Sequence, residues 1–163
     1  MAGKKSAGLI MFRYSDGKLE VLLVHPGGPF WAKKDEGAWS IPKGEYEEHE
    51  SPFEVARREF TEETGFAAEA DTYIPLDPLR QPSRKLISAW AFQGDCDPVA
   101  ITSNTFTMEW PPRSGKQCEF PEVDRGGWFA IEEAMKKITK GQLGFLEQLC
   151  RKLEYLSKTL QNP

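Results

Sequence analysis

The chain has 163 residues, 39% hydrophobic and 12% aromatic, with 25 acidic and 21 basic side chains for a net charge of −4. That length and composition fit one ordinary domain over residues 1–163 with apolar side chains enough for a core. Five Trp and ten Phe exclude the aromatic-poor, charge-rich class that stays unfolded. Apolar runs such as Val21–Val24 fall far short of the roughly 20 residues of a membrane-spanning helix, so no membrane partner is expected.

Lys4 and Lys5 precede a short apolar run, but no long hydrophobic region or cleavage site follows, so no export signal is read. Cys96, Cys118 and Cys150 are odd in number and widely spaced, which fits neither a disulfide framework nor a zinc site. The cytoplasm is the expected compartment.

Residues 7–12 and 19–24 are rich in Leu, Ile, Val and Phe, and Asp16-Gly17 between them predicts a hairpin turn. Residues 25–37, with Pro26-Gly27-Gly28-Pro29, read as a loop before a short strand at Trp39–Ile41. Ser51-Pro52-Phe53-Glu54 predicts a helix start, with Ser51 accepting from free N–H groups, Pro52 first in the helix and Glu54 completing a capping box. Gly65 closes that helix as a left-handed residue. Residues 85–92 predict a strand, and 123–131 another around Trp128-Phe129. Between them, the Pro-, Gly-, Ser- and Thr-rich residues 93–122 are expected to be irregular except around 106–110. A helical turn at 132–137 precedes a helix over 143–160 whose apolar face holds Leu146, Leu149, Cys150, Leu153 and Leu156.

The acidity is local. Residues 44–66 hold eight acids and two bases, −6 in sum, which leaves 19 bases and 17 acids, or +2, elsewhere. This balance argues against an extended nucleic-acid surface, and it suits an acidic, cation-attracting site among bases fit for phosphates. On a helical wheel Phe53, Ala56 and Phe60 share one side, while Glu59, Glu62 and Glu63 lie on an adjacent face at i, i+3 and i+4. Like charges one turn apart repel, so such a face wants a cation. Gathered carboxylate oxygens suit Mg²⁺ or Mn²⁺, ions commonly shared with substrate phosphates. An isolated Glu-rich helix is more often a solvated face; the wider spacing decides for a site.

Gly44, Glu50, Arg58, Glu59, Phe60, Glu62, Glu63, Gly65 and Phe66 occupy all nine defined positions of the Nudix box: Gly, five residues, Glu, seven residues, Arg-Glu, apolar, any, Glu-Glu, any, Gly, apolar. The chain here resembles the Nudix hydrolase family. The resemblance implies an α/β fold, an α/β/α sandwich with a mixed, largely antiparallel sheet between helices. It also implies a divalent cation, Mg²⁺ or Mn²⁺, and attack of water on a phosphorus of a diphosphate linked to a nucleoside or similar group. By position, Glu59, Glu62 and Glu63 are the metal-binding carboxylates, one of them also orienting or deprotonating the water. A backbone carbonyl around Lys43 or Gly44 completes the coordination, and Arg58 and Glu50 pair to fix the loop against the helix. A further acid is expected in a loop before the last strand, Glu122 by choice and Glu119 as alternative. His25 and His49 lack a matching Ser or Cys motif and read as ordinary loop residues.

Trp39-Ser40-Ile41-Pro42-Lys43-Gly44 is similar to the entrance of Nudix enzymes that act on diadenosine polyphosphates and diphosphoinositol polyphosphates. Lys43 either touches a phosphate or is a solvated loop lysine, and Trp39 either shapes the entrance or fills the core. Arg84 and Lys85, near Arg80, are read as substrate-binding bases, with Arg113, Lys116 and Arg125 adding charge near the loop acids. The Tyr expected about 17 residues beyond the box in the diadenosine type is replaced by Pro82-Ser83, whereas Pro82 stands 16 residues after Phe66, as in the ADP-ribose type. The expectation is a metal-dependent hydrolase of nucleoside or dinucleoside polyphosphates, with a small nucleotide or polyphosphate as partner and the oligomeric state left open. ADP-ribose or another nucleoside diphosphate derivative is the second reading, and a non-catalytic nucleotide-sensing module the third.

Overall fold

The computed structural model describes residues 4–155. In chain order its elements are β1 (Lys5–Ser15), β2 (Lys18–Pro26), β3 (Lys43–Glu45), α1 (Pro52–Thr64), β4 (Ile74–Pro75), β5 (Leu79–Arg80), β6 (Leu86–Gln93), β7 (Thr105–Glu109), β8 (Gln117–Pro121), β9 (Val123–Ala130), α2 (Ile131–Lys137) and α3 (Leu143–Lys152). Strand β1 is the spine. It pairs antiparallel with β2 (Phe12 opposite Val21), antiparallel with β3 (Ala7 opposite Gly44) and parallel with β6, from Lys5 opposite Leu86 to Phe12 opposite Gln93. Strand β9 extends the sheet beyond β2, and β4 and β5 cover the far edge of β6, all antiparallel. The sheet is therefore mixed and largely antiparallel.

Alternate side chains of β1 and β2 enter two different cores, as period-two geometry dictates. Leu9, Met11 and Leu22 pack on Val55, Ala56 and Phe60 of α1. Ile10, Phe12, Val21 and Leu23 pack on Ile131 and Ala134 of α2 and Phe145, Leu146 and Leu149 of α3. A strand covered on both faces must be apolar almost throughout, and Ala7 to Phe12 is. The result is the α/β/α sandwich expected from the resemblance.

Asp16 and Gly17 both have positive φ (51° and 77°), the type I′ geometry that matches strand twist. Helix α1 opens after Ser51 and closes on Gly65 at φ 82°. The Ser51 side chain makes no capping hydrogen bond; the capping box does not form, and Pro52, which has no N–H to satisfy, carries the start. Trp39–Ile41 is not a strand but two single bridges, Val24 to Ser40 and Trp39 to Ile138. Residues 105–109 and 117–121 form a second, two-stranded sheet where irregular chain was expected beyond 106–110. Helix α3 ends at Lys152, and Glu154 at φ 54° turns the chain out of it. The expected continuation over 156–160, with Leu156, lies outside the described residues.

Candidate active site

The acidic site is built where β3 hands the chain to α1. Tyr46 N donates to Lys5 O at 3.0 Å, which ties the loop after β3 to the spine. Glu50 then accepts twice, from Glu47 N at 2.9 Å and from Arg58 Nη1 at 3.2 Å, so one carboxylate joins loop and helix. Gly44 faces Glu59 directly: a Cβ there would overlap the Glu59 carboxylate, so only glycine lets that side chain lie across β3.

A cavity of 430 Å³ opens above this junction. Glu59, Glu62 and Glu63 enter it from α1, Glu122 from between β8 and β9, and Lys43 and Gly44 from β3, with Lys85 and Asn104 also on its wall. A second cavity of 140 Å³ shares Lys43, Glu63 and Glu122 and is also lined by Val24, Pro26 and Ser40. Burial pushes the Glu63 carboxyl up to about 8, with Glu59 and Glu122 adding to the rise, while the Lys43 ammonium and a hydrogen bond from the Lys43 N–H oppose it. Glu59 is raised as well, first by burial and then by Glu62, against Arg58. Burial and then Lys85 lower the Lys43 ammonium. Two acids, Glu59 and Glu63, held against their own ionisation around one space mark a functional site rather than a solvated helix face.

Among the described residues, no three His, Cys, Asp or Glu side chains draw together tightly enough to close around one ion. The Arg58 guanidinium lies 3.8 Å from both Glu59 and Glu62. The donor set is still all oxygen and highly acidic, and the glycine at 44 lets the Glu59 carboxylate lie across β3 at the cavity. That chemistry fits a hard divalent ion.

Of the other residues singled out from the sequence, Lys85 reaches the cavity, its Nζ 3.4 Å from Glu45. Arg84 does not line it; it sits at φ 68° in the turn before β6, where its carbonyl accepts from Arg80. Glu119 is exposed on β8 opposite Thr107, on the outer face of the hairpin, so Glu122 is the loop acid at the cavity. Trp39 is a core residue, its Nε1 donating to Asp35 and its ring against Phe129. His49 is an exposed loop residue. His25 is not: next to the last residue of β2 it is fully buried, with Nδ1 2.9 Å from Asp124 and Nε2 2.6 Å from Lys34 O, fastening the 27–37 loop to β9. The alternation of Val21, Leu23 and His25 on one face of a strand was the signal for that burial. Asn104 carried no signal, because it is placed by the hairpin that the sequence hid.

Carboxylates gathered by a strand, loop and helix at the lip of this mixed sheet define a pyrophosphohydrolase, an enzyme that opens phosphoanhydride bonds. A family model described as NUDIX domain matches residues 4–149, and the chain belongs to the Nudix hydrolase family. No curated protein matches. Solved structures share the fold at low identity. The NUDIX domain of Shewanella oneidensis NrtR, complexed with ADP ribose, is 18% identical with a TM-score of 0.66, covering 94% of this chain and 90% of that one. A C. elegans Ap4A hydrolase in a binary complex is 21% identical with a TM-score of 0.62 over 94% and 99% of the two chains. A mutT/nudix family protein from Listeria innocua is 19% identical with a TM-score of 0.62 over 94% and 96%. Among the described residues no helix is long and apolar enough to cross a membrane.

Proposed function

We propose that residues 1–163 act as one cytoplasmic domain that hydrolyses a diphosphate linkage in a nucleoside polyphosphate or dinucleoside polyphosphate. The observation that supports this most is the meeting of Glu59, Glu62, Glu63 and Glu122 with Lys43 and Lys85 in one cavity. Glu59, Glu62 and Glu63, with a backbone carbonyl at Lys43 or Gly44, would hold Mg²⁺ or Mn²⁺, which when bound would supply neutralisation of phosphate charge and activation of water. Lys43 and Lys85 bind phosphate oxygens and orient the chain of phosphates. Water adds to phosphorus as the bridging oxygen leaves with its electron pair, and one carboxylate of the set, Glu63 or Glu122, takes the proton from water. Glu50 and Arg58 touch no reacting atom; they hold the loop and helix in register.

ADP-ribose is the second reading, supported by Pro82 and by the ADP-ribose complex of the Shewanella oneidensis domain. The purified protein is incubated with Mg²⁺ or Mn²⁺ and diadenosine tetraphosphate, nucleoside triphosphates, ADP-ribose or a diphosphoinositol polyphosphate, and products are resolved by ion exchange. Metal-dependent cleavage of a dinucleoside or nucleoside polyphosphate above the rest is the expected result. Preferred cleavage of ADP-ribose replaces it with the second reading, and nucleotide binding without turnover replaces both with a sensor.

A further inference from the structure

Hairpin β7–β8 carries apolar side chains that belong to neither core. Its alternation leaves Phe106, Met108, Cys118 and Phe120 half-buried on one face, with exposed polar residues on the other. The apolar face leans on the loop after β2. Gly28, at φ 97°, lets the Phe106 ring come so close that a Cβ would stand 3.0 Å from it, and Gly27 leaves room for the Pro121 carbonyl. At the far end Phe30 meets Trp110 edge to face, ring centroids 5.7 Å apart.

Two rings of this wing face water: Phe30 is 62% and Trp31 40% exposed, and among the described residues only Tyr14 and Val99 are comparably exposed large hydrophobics. Cations accompany them. Lys34 Nζ stands 5.0 Å from the Trp31 ring centroid, and Arg113 and Lys116 lie in the turn of the hairpin. Aromatic faces among cations are what a nucleotide needs, since stacking a base is worth about 1–3 kcal/mol and Arg and Lys take phosphates.

The wing is also continuous with the acidic cavity. Its root closes through Glu122 N to Asn104 O at 2.8 Å, and both residues line that cavity. From Asn104 the strand runs to Trp110 at about 3.4 Å per residue, some 20 Å in all. That span exceeds the reach of a base attached beside the cleaved phosphates and matches a second nucleoside at the end of a polyphosphate chain. We propose that the wing holds the second nucleoside of a dinucleoside polyphosphate, with Phe30 and Trp110 stacking on its base and the cations Arg113 and Lys116 of the hairpin turn beside it. This rests on the hydrolase reading.

Kinetics with diadenosine tetraphosphate and adenosine tetraphosphate, which differ by one nucleoside, test it. Phe30→Ala and Trp110→Ala are expected to raise KM for the two-base compound about tenfold, the equivalent of about 1.4 kcal/mol of stacking, with kcat and the one-base KM within about twofold. Trp110→Tyr should restore most of the loss. An equal KM change on both compounds, or none on either, overturns the proposal. Tryptophan fluorescence titrated with diadenosine tetraphosphate without metal separates this from the hydrolase reading. Quenching that Trp110→Phe abolishes, without turnover under any condition, supports the wing and overturns the hydrolase. Turnover with no such quenching overturns the wing alone. Stronger quenching by a short oligoribonucleotide than by the dinucleotide overturns it in favour of RNA.

Discussion

Helix α1 and hairpin β7–β8 reach the same cavity, but they are held in opposite ways. Helix α1 buries Val55, Ala56 and Phe60 at 2% exposure or less against the spine strand, and its acids are fixed from behind by the Glu50–Arg58 pair. The hairpin buries no residue fully. It hangs from a few backbone hydrogen bonds, Glu122 N to Asn104 O, Gly27 N to Glu122 O and Asn104 N to Glu62 O. Reacting groups need placement within a fraction of an ångström, and the packed core supplies it. Groups that choose among substrates tolerate movement, and elements with little buried apolar area open most easily.

The sharpest way to break this contrast is to remove the acids. Glu62→Gln or Glu63→Gln is expected to lower kcat on the order of a thousandfold, because several kcal/mol of charge stabilisation is lost at 1.36 kcal/mol per tenfold, while circular dichroism stays native. Near-normal turnover in both variants would remove the carboxylates from the chemistry. Next comes a matched pair of glycines. Gly44→Ala should cost about a hundredfold in kcat, since the new methyl displaces Glu59 and a misplacement of about 1 Å costs that much. Gly28→Ala, which presses on the Phe106 ring of the hairpin, should shift KM a few-fold and leave kcat. Equal effects on kcat from the two would erase the distinction between the regions.

Arg58→Ala should lower kcat about tenfold, in the range for residues that orient ligands from behind, and loosen loop 46–51 to hydrogen exchange. Unchanged exchange there would mean that Glu50 holds the loop without it. A further test is in pH. The folded Glu63 carboxyl titrates at about 8 against an ordinary 4.5, so between those values the folded chain binds more protons than the unfolded one. Metal-free stability therefore falls as pH rises from about 4.5 through 8. Thermal melts at pH 5.5 and 8.5 should show the drop, and Glu63→Gln should flatten it; a drop of equal size in that variant would assign it to another group.

Much of this was legible in the sequence because it depends on local rules. The β1–β2 hairpin is written in Asp16-Gly17 and apolar runs, α1 in Pro52 and Gly65, and the box in the spacing from Gly44 to Phe66. What stayed hidden depends on distant partners. Residues 105–121 alternate correctly, yet their apolar face meets the glycine loop after β2 rather than a core, and turn-forming residues between the strands masked the pairing. His25 looked like a loop residue because Asp124 and the Lys34 carbonyl, which justify its burial, are 99 and 9 residues away. Arg84 and Lys85 are neighbours that the sequence treats alike, and only the left-handed turn at Arg84 sends them to different places.

The parallel pairing of β1 with β6 also sets the order in which the enzyme can come into being. Lys5 waits for Leu86, so the whole segment carrying the box is a loop that must close before the central strand has both neighbours. Contacts of such separation make folding slow. On the ribosome the three helix acids emerge before β6 and face an incomplete sheet. Glu122, which joins them through the strands on either side of it, arrives only after β6 and the first strand of the hairpin.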